Sequence, residues 1–165
     1  MSLTSFRVAA QAAAMSDDVD PDEVVIPALL RAARNAYALA VRRALAAADI
    51  HDMPRNGPYV LGGLANHGAT LATLINDLQV TKQAASQLID TLVLRGYLDR
   101  HVDAEDRRRL AVTLTERGLA AAEEVQRAVR SVDSELAAMI TTEKLAVMRE
   151  GLFALAGIGF RLRGE

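Results

Sequence analysis

Cysteine and tryptophan are both absent from the 165-residue chain. The lack of thiols excludes disulfide frameworks, thiolate zinc sites, iron–sulfur ligation and thiol-based redox sensing together. Aromatic residues make up 4% of the chain, and turn-formers are scarce, with 4 Pro and 10 Gly. Long apolar runs are missing too. The stretch Leu152 to Phe160 contains two glycines and is far too short to cross a bilayer, so no membrane partner is expected. The segment Arg7 to Ala14 has a charge and small residues, but Gln11 interrupts it and no Leu-rich run follows. It is a poor signal peptide, and a cytoplasmic protein is expected.

The chemistry of common enzymes is missing as well. His51, His67 and His101 have no metal-ligand spacing, and no Gly-rich phosphate loop, carboxylate pair or nucleophile elbow occurs. No catalytic residue, metal or cofactor is expected, and Gly62-Gly63 reads as a point of close packing.

What is present is helix-forming material. The chain is 51% hydrophobic, with 31 Ala and 22 Leu, enough to fold as one mostly α-helical domain. The net charge of -2 averages unlike regions. Asp17, Asp18, Asp20, Asp22 and Glu23 against Arg7 give residues 1–23 a net of −4, which leaves +2 for the rest. Residues 1–23 read as an acidic, disordered tail and 24–165 as a single domain. Its cations are 17 Arg against 2 Lys, a choice that suits paired contacts to carboxylate or phosphate.

Periodicity divides the domain. From Val24 to Ala48, the residues Ile26, Leu30, Ala33, Tyr37, Ala40, Ala44 and Ala47 draw one apolar seam on a helix. Pro54, Gly57 and Pro58 break the pattern, and short helices are predicted over 59–65 and 69–78. Thr81 then caps a helix running to Arg95, closed by Gly96. Ala84, Ala85, Leu88, Ile89, Leu92 and Val93 form its apolar side, and Gln83, Ser86, Gln87 and Asp90 its polar side. Residues 98–102 and 110–114 alternate as two strands of a hairpin around the polar run Asp103 to Arg109. Thr115 caps a long helix whose seam is Val125, Val129, Val132, Leu136 and Met139. The last helix starts at Thr141 or Thr142, with Leu145, Met148, Leu152, Leu155, Gly159 and Leu162 in line. The expected fold is a winged helix-turn-helix reader over 54–118, with a β-hairpin wing. Helices over 24–50 and 119–163 flank it.

The run Val80 to Arg100, the wing Asp103-Ala-Glu-Asp-Arg-Arg-Arg109 and the exit Leu114-Thr-Glu-Arg-Gly118 resemble the MarR family of bacterial transcription regulators. The resemblance covers essentially 24–165. Ala104 departs from it where the family often has Pro, while Asp106 and Arg108 keep their places.

Major-groove reading needs donors and acceptors at the exposed start of a helix. Thr81, Lys82, Gln83, Ser86 and Gln87 supply them, and Gln pairs in bidentate fashion with adenine. In the wing, Asp106 is placed to orient one guanidinium of Arg107, Arg108 and Arg109, and the resemblance implies that Arg108 reaches the minor groove. It further implies a homodimer whose flanking helices form a dimerisation lobe. Its recognition helices would enter successive major grooves about 34–36 Å apart on an inverted repeat of double-stranded DNA. A repressor released by a small aromatic or phenolic effector is implied, and Tyr37, Arg55, Asn56 and Tyr59 are the candidate ligand residues because they join the first helix to the reader.

Blander readings stand beside these: a solvated helix face, a solvated hairpin tip, and plain packing at the ligand residues. The span from Ala69 to Gly118 holds seven basic and seven acidic residues. That neutrality motivates an alternative, a winged-helix module that binds protein and not DNA.

Overall fold

In a computed structural model, the described residues are Asp20, 23–66, 70–102 and 110–164. Most of the acidic tail and all of the wing tip 103–109, with Asp106, Arg107, Arg108 and Arg109, lie outside them.

Among the described residues there are six helices and one hairpin: α1 (Ile26–Ala47), α2 (Gly57–Ala65), α3 (Leu71–Leu78), α4 (Lys82–Leu94), β1 (Leu98–Val102), β2 (Leu110–Leu114), α5 (Glu116–Met139) and α6 (Thr142–Arg163). Threonine sets most of the helix starts. The hydroxyls of Thr70, Thr81, Thr115 and Thr141 accept the backbone N–H of Thr73, Ala84, Gly118 and Lys144, each satisfying a donor that the first helical turn leaves orphaned. Helix α1 has no such cap and instead carries Pro27 in its first turn. Two predicted boundaries shift for the same local reasons. Helix α2 begins at Gly57 and not Tyr59, because the fixed φ of Pro58 suits a first turn; α3 begins at Leu71, after its Thr70 cap.

The chain divides into two units, one ending at Val129 and one starting at Arg130, with α5 running through the boundary. The first unit has one core. Val41 and Leu45 of α1, Val60 and Leu61 of α2, Ile89 and Leu92 of α4, Tyr97, Leu98, and Ala121, Ala122, Val125 and Ala128 of α5 pack as a single buried cluster. Gly62 and Gly63 allow the close approach expected of them, the first facing Val125 of α5 and the second the Leu74 side chain of α3. The α1 seam is corrected here. Core contact is made by Val41 and Leu45, with Ala40 and Ala44 half-buried beside them, whereas Ile26, Ala33 and Ala47 of the predicted seam are exposed. Ala84, assigned to the apolar side of α4, is exposed too.

The hairpin is antiparallel with Leu98 opposite Leu114, Arg100 opposite Val112 and Val102 opposite Leu110. Its connection to α4 is three residues, Arg95-Gly96-Tyr97. Gly96 adopts φ 72°, a left-handed conformation that ends the helix and turns the chain into β1.

The second unit is different in kind. It consists of the end of α5 and the 22-residue α6, and none of its described residues is buried. Val147, Phe153, Phe160 and Leu162 of α6 are each at least 66% exposed.

Candidate nucleic-acid interface

Helix α3, a turn through Gln79 in the left-handed conformation (φ 50°), and α4 form the helix-turn-helix. Burial of Ala85, Ile89 and Leu92 fixes the roll of α4 about its axis, so the opposite side must face outward. Thr81, Lys82, Gln83, Ser86 and Gln87 are all exposed there, at and just beyond the N-terminus. The Thr81 oxygen is occupied as the helix cap at 3.2 Å from the Ala84 nitrogen, which leaves its proton to donate elsewhere. Ser86 is partly committed as well, its hydroxyl donating to Asp90 at 3.4 Å.

Asp90 sits on the same face, where a carboxylate would repel phosphate. Its other oxygen accepts from Arg100 of β1 at 2.7 Å, which neutralises the charge and ties α4 to the first strand of the hairpin. The hairpin thereby extends from one flank of α4 toward the wing tip, whose four predicted site residues fall outside the described residues.

The exit motif has a packing reason. The Thr115 hydroxyl lies 2.6 Å from the Gly96 oxygen and 3.2 Å from the Tyr97 oxygen, and the Thr115 N–H donates to Tyr97 O at 3.1 Å. Gly118 then lies against that same Tyr97 carbonyl, where any side chain would collide with it. Strand, cap and helix start are fastened at one point.

A second cluster escaped the sequence reading. Asp52, in the loop between α1 and α2, accepts from the Tyr97 hydroxyl through Oδ1 and from Arg117 at 3.0 and 3.2 Å through both carboxylate oxygens. Its main-chain oxygen accepts from Arg95. Arg117 also donates to the Arg95 carbonyl and to the Tyr97 hydroxyl, and its guanidinium lies 4.4 Å from the centroid of the Tyr97 ring. The hydrogen bond from Tyr97, reinforced by the positive charge of Arg117, holds the Asp52 carboxyl below its ordinary pKa against the opposing effect of burial. Burial, with the hydrogen bond to Asp52, pushes the Tyr97 phenol up to about 12, so it stays a neutral donor.

The predicted ligand residues are distributed around the α1–α2 connection. Tyr37 is half-buried on α1, Arg55 is exposed and Asn56 half-buried in the turn before α2, and Tyr59 is exposed on α2. The Tyr59 hydroxyl donates to Asp77 of α3 at 3.3 Å, and Arg55, Asn56 and Tyr59 share no hydrogen bond with one another. Burial and the neighbouring Asp77 charge raise the Tyr59 pKa. Among the described residues no helix is long and apolar enough to cross a membrane, and no group of His, Asp and Glu is arranged to hold a metal ion.

Residues 51–109 match the MarR family model, while none of the curated proteins matches the chain. Among solved structures the fold is similar to that of a MarR family transcription regulator, at 21% identity over 85% of this chain and 89% of that one, with a TM-score of 0.66. It is similar to S. aureus MepR in a DNA complex, at 23% identity over 81% and 95% of the two chains, TM-score 0.64. PcaV from Streptomyces coelicolor, in complex with its natural ligand, aligns at 20% identity over 86% and 98%, TM-score 0.61. With the helix-turn-helix, the hairpin and the Thr115–Gly118 exit in the order the sequence predicts, the chain carries the winged helix-turn-helix fold of the MarR family of transcription regulators.

Proposed function

We propose that this protein is a cytoplasmic, sequence-specific DNA-binding transcriptional regulator that acts as a homodimer, without a catalytic step. One observation supports this reading above the others: the capped, exposed N-terminus of α4, bearing Lys82, Gln83, Ser86 and Gln87, flanked by a hairpin bound to it through Asp90 and Arg100. Gln83 and Gln87 read base edges, while Thr81, Lys82 and Ser86 hold phosphates or bases. In the wing, where Arg107, Arg108 and Arg109 stand together, Asp106 orients one guanidinium and Arg108 reaches the minor groove.

A second copy of the chain covers the exposed apolar side of α6, and the dimer binds an inverted repeat as a repressor. MepR has been crystallised with DNA and with ethidium, and PcaV with its natural ligand. By analogy a small, aromatic or phenolic effector binds near Tyr37, Arg55, Asn56 and Tyr59 and favours the dimer spacing that does not fit DNA.

The test is a mobility shift with genomic fragments across a salt series. Affinity is expected to fall steeply with salt, and Arg108→Ala to weaken binding and flatten that slope by about one phosphate contact. No binding to any promoter-sized duplex at low salt would overturn the reading and favour the protein-binding alternative that the near-neutral reader suggests.

A further inference from the structure

The cluster around Asp52 joins three parts of the reader that sequence keeps apart: the C-terminal end of α4 through Arg95, the residue before β1 through Tyr97, and the first turn of α5 through Arg117. All three meet one residue of the α1–α2 loop. We propose that Asp52 is a positioning residue for DNA reading, which sets the angle between the recognition helix and the wing while touching no DNA itself; the inference rests on the DNA-binding function proposed above.

Distance and connectivity support it. Asp52 binds at the C-terminal end of α4, whereas Lys82 and Gln83 stand at the other end of this 13-residue helix, about 20 Å away at 1.5 Å per residue. Asp52 is therefore too far from the reading end to share its phosphates. Only Arg95-Gly96-Tyr97 connects α4 to β1, and Gly96 in that link has the conformational freedom to act as a hinge. Asp52 and Arg117 hold the residues on both sides of it: Arg95 through its side chain and its carbonyl, Tyr97 through its hydroxyl and ring face. Asp90–Arg100 restrains helix and strand one turn further along. Removing the Asp52 carboxylate takes away an acceptor of the Tyr97 hydroxyl and the counter-charge that anchors Arg117, a residue that grips both sides of the hinge. Because the side chains of Asp52 and Arg117 are 41% and 48% exposed, their pairing contributes little to global stability, and its main effect is on geometry.

Asp52→Asn and, as a second variant that spares the loop, Arg117→Met are compared with the wild-type chain on a duplex that the wild type binds, over a salt series, with circular dichroism as a check on folding. Both variants are expected to fold, to lose about ten-fold in affinity as a base contact falls out of register, and to keep the wild-type salt slope, because no phosphate contact is lost. Their combination should cost little more than either alone. Affinity within two-fold of wild type in either folded variant overturns the inference and leaves DNA binding intact. A salt slope reduced by about one also overturns it, by making the residue a direct contact. Failure of the wild type to bind any duplex overturns the underlying function instead, and the inference with it.

Discussion

The first unit and the second use their apolar residues in opposite ways. Up to Val129, side chains from α1, α2, α4, β1 and α5 converge on one cluster in which Tyr97, Leu61, Leu92 and Val60 are fully buried. From Arg130 on, nothing described is buried, and Phe153 is 84% exposed. A first unit that already has a buried core does not need Phe153 and Leu162 exposed on α6 in order to fold. Helices with so much open apolar surface normally find a partner. The contrast separates residues buried in the core of the first unit from apolar residues of α6 that stay exposed.

The reader's side of that contrast breaks most severely at Gly118. Any Cβ there collides with the Tyr97 carbonyl, a backbone atom that is itself held by Thr115 and cannot swing away. Gly118→Ala is expected to destabilise the first unit by about 3 kcal/mol, at the upper end of overpacking penalties, and to lower the melting temperature markedly. Gly151→Ala, on α6 with nothing within 4 Å of the added methyl, should be neutral or slightly stabilising in the same melt.

The second unit's side is tested at Leu152, 42% exposed on α6. Leu152→Glu is expected to weaken self-association by about 2 kcal/mol, the scale of a central interface residue, and to shift sedimentation toward the monomer at micromolar concentration. The fold of the first unit should be retained. A wild-type protein that sediments as a monomer would remove the explanation of the exposed face. A smaller effect is expected on the reading face: Gln87→Ala should relax sequence preference by about 1–2 kcal/mol between matched and mismatched duplexes, with non-specific affinity and melting temperature unchanged.

Much of this was legible before any coordinates, because it rests on short-range rules. Thr81 and Thr115 cap the helices that the sequence assigned them, Gly96 takes the left-handed position, and alternation marks both strands. The buried side of α1 is harder to read from the sequence, for a specific reason. Alanines lie on several faces of that helix, so periodicity alone did not separate the Val41–Leu45 side from the Ile26–Ala47 side. Ala84 was misassigned likewise, since an alanine at the edge of an apolar stripe tolerates water. The Asp52 cluster was invisible because its contacts span 43 to 65 residues of chain. A lone Asp before Met53-Pro54 has no local pattern that points to an Arg in the exit motif. Arg117 lies within Leu-Thr-Glu-Arg-Gly, where its helical neighbours give no hint of a loop partner.

The smallest expected effect is one of pH. Tyr97 and Arg117 hold the Asp52 carboxyl below its ordinary value of 3.8, and Arg95, the other cation beside it, binds its main chain. A carboxyl with a lower pKa folded than unfolded stabilises the fold above its unfolded pKa and loses that contribution as pH falls through the folded value. Wild-type stability should therefore decline below about pH 4, and Asp52→Asn should remove part of that decline while leaving the rest of the profile in place. Because Tyr97 titrates only near 12 and stays neutral, no corresponding loss is expected from it between pH 6 and 9. Glu143, at the start of α6, is also held below its ordinary value by a backbone N–H and by Thr141, but it is fully exposed and belongs to the second unit. Comparing denaturant midpoints at about pH 3 and pH 6 for Asp52→Asn and Glu143→Gln assigns the acid sensitivity to one unit or the other. The first unit is expected to account for it, because the Asp52 carboxylate is held there by both the Tyr97 hydroxyl and the Arg117 guanidinium.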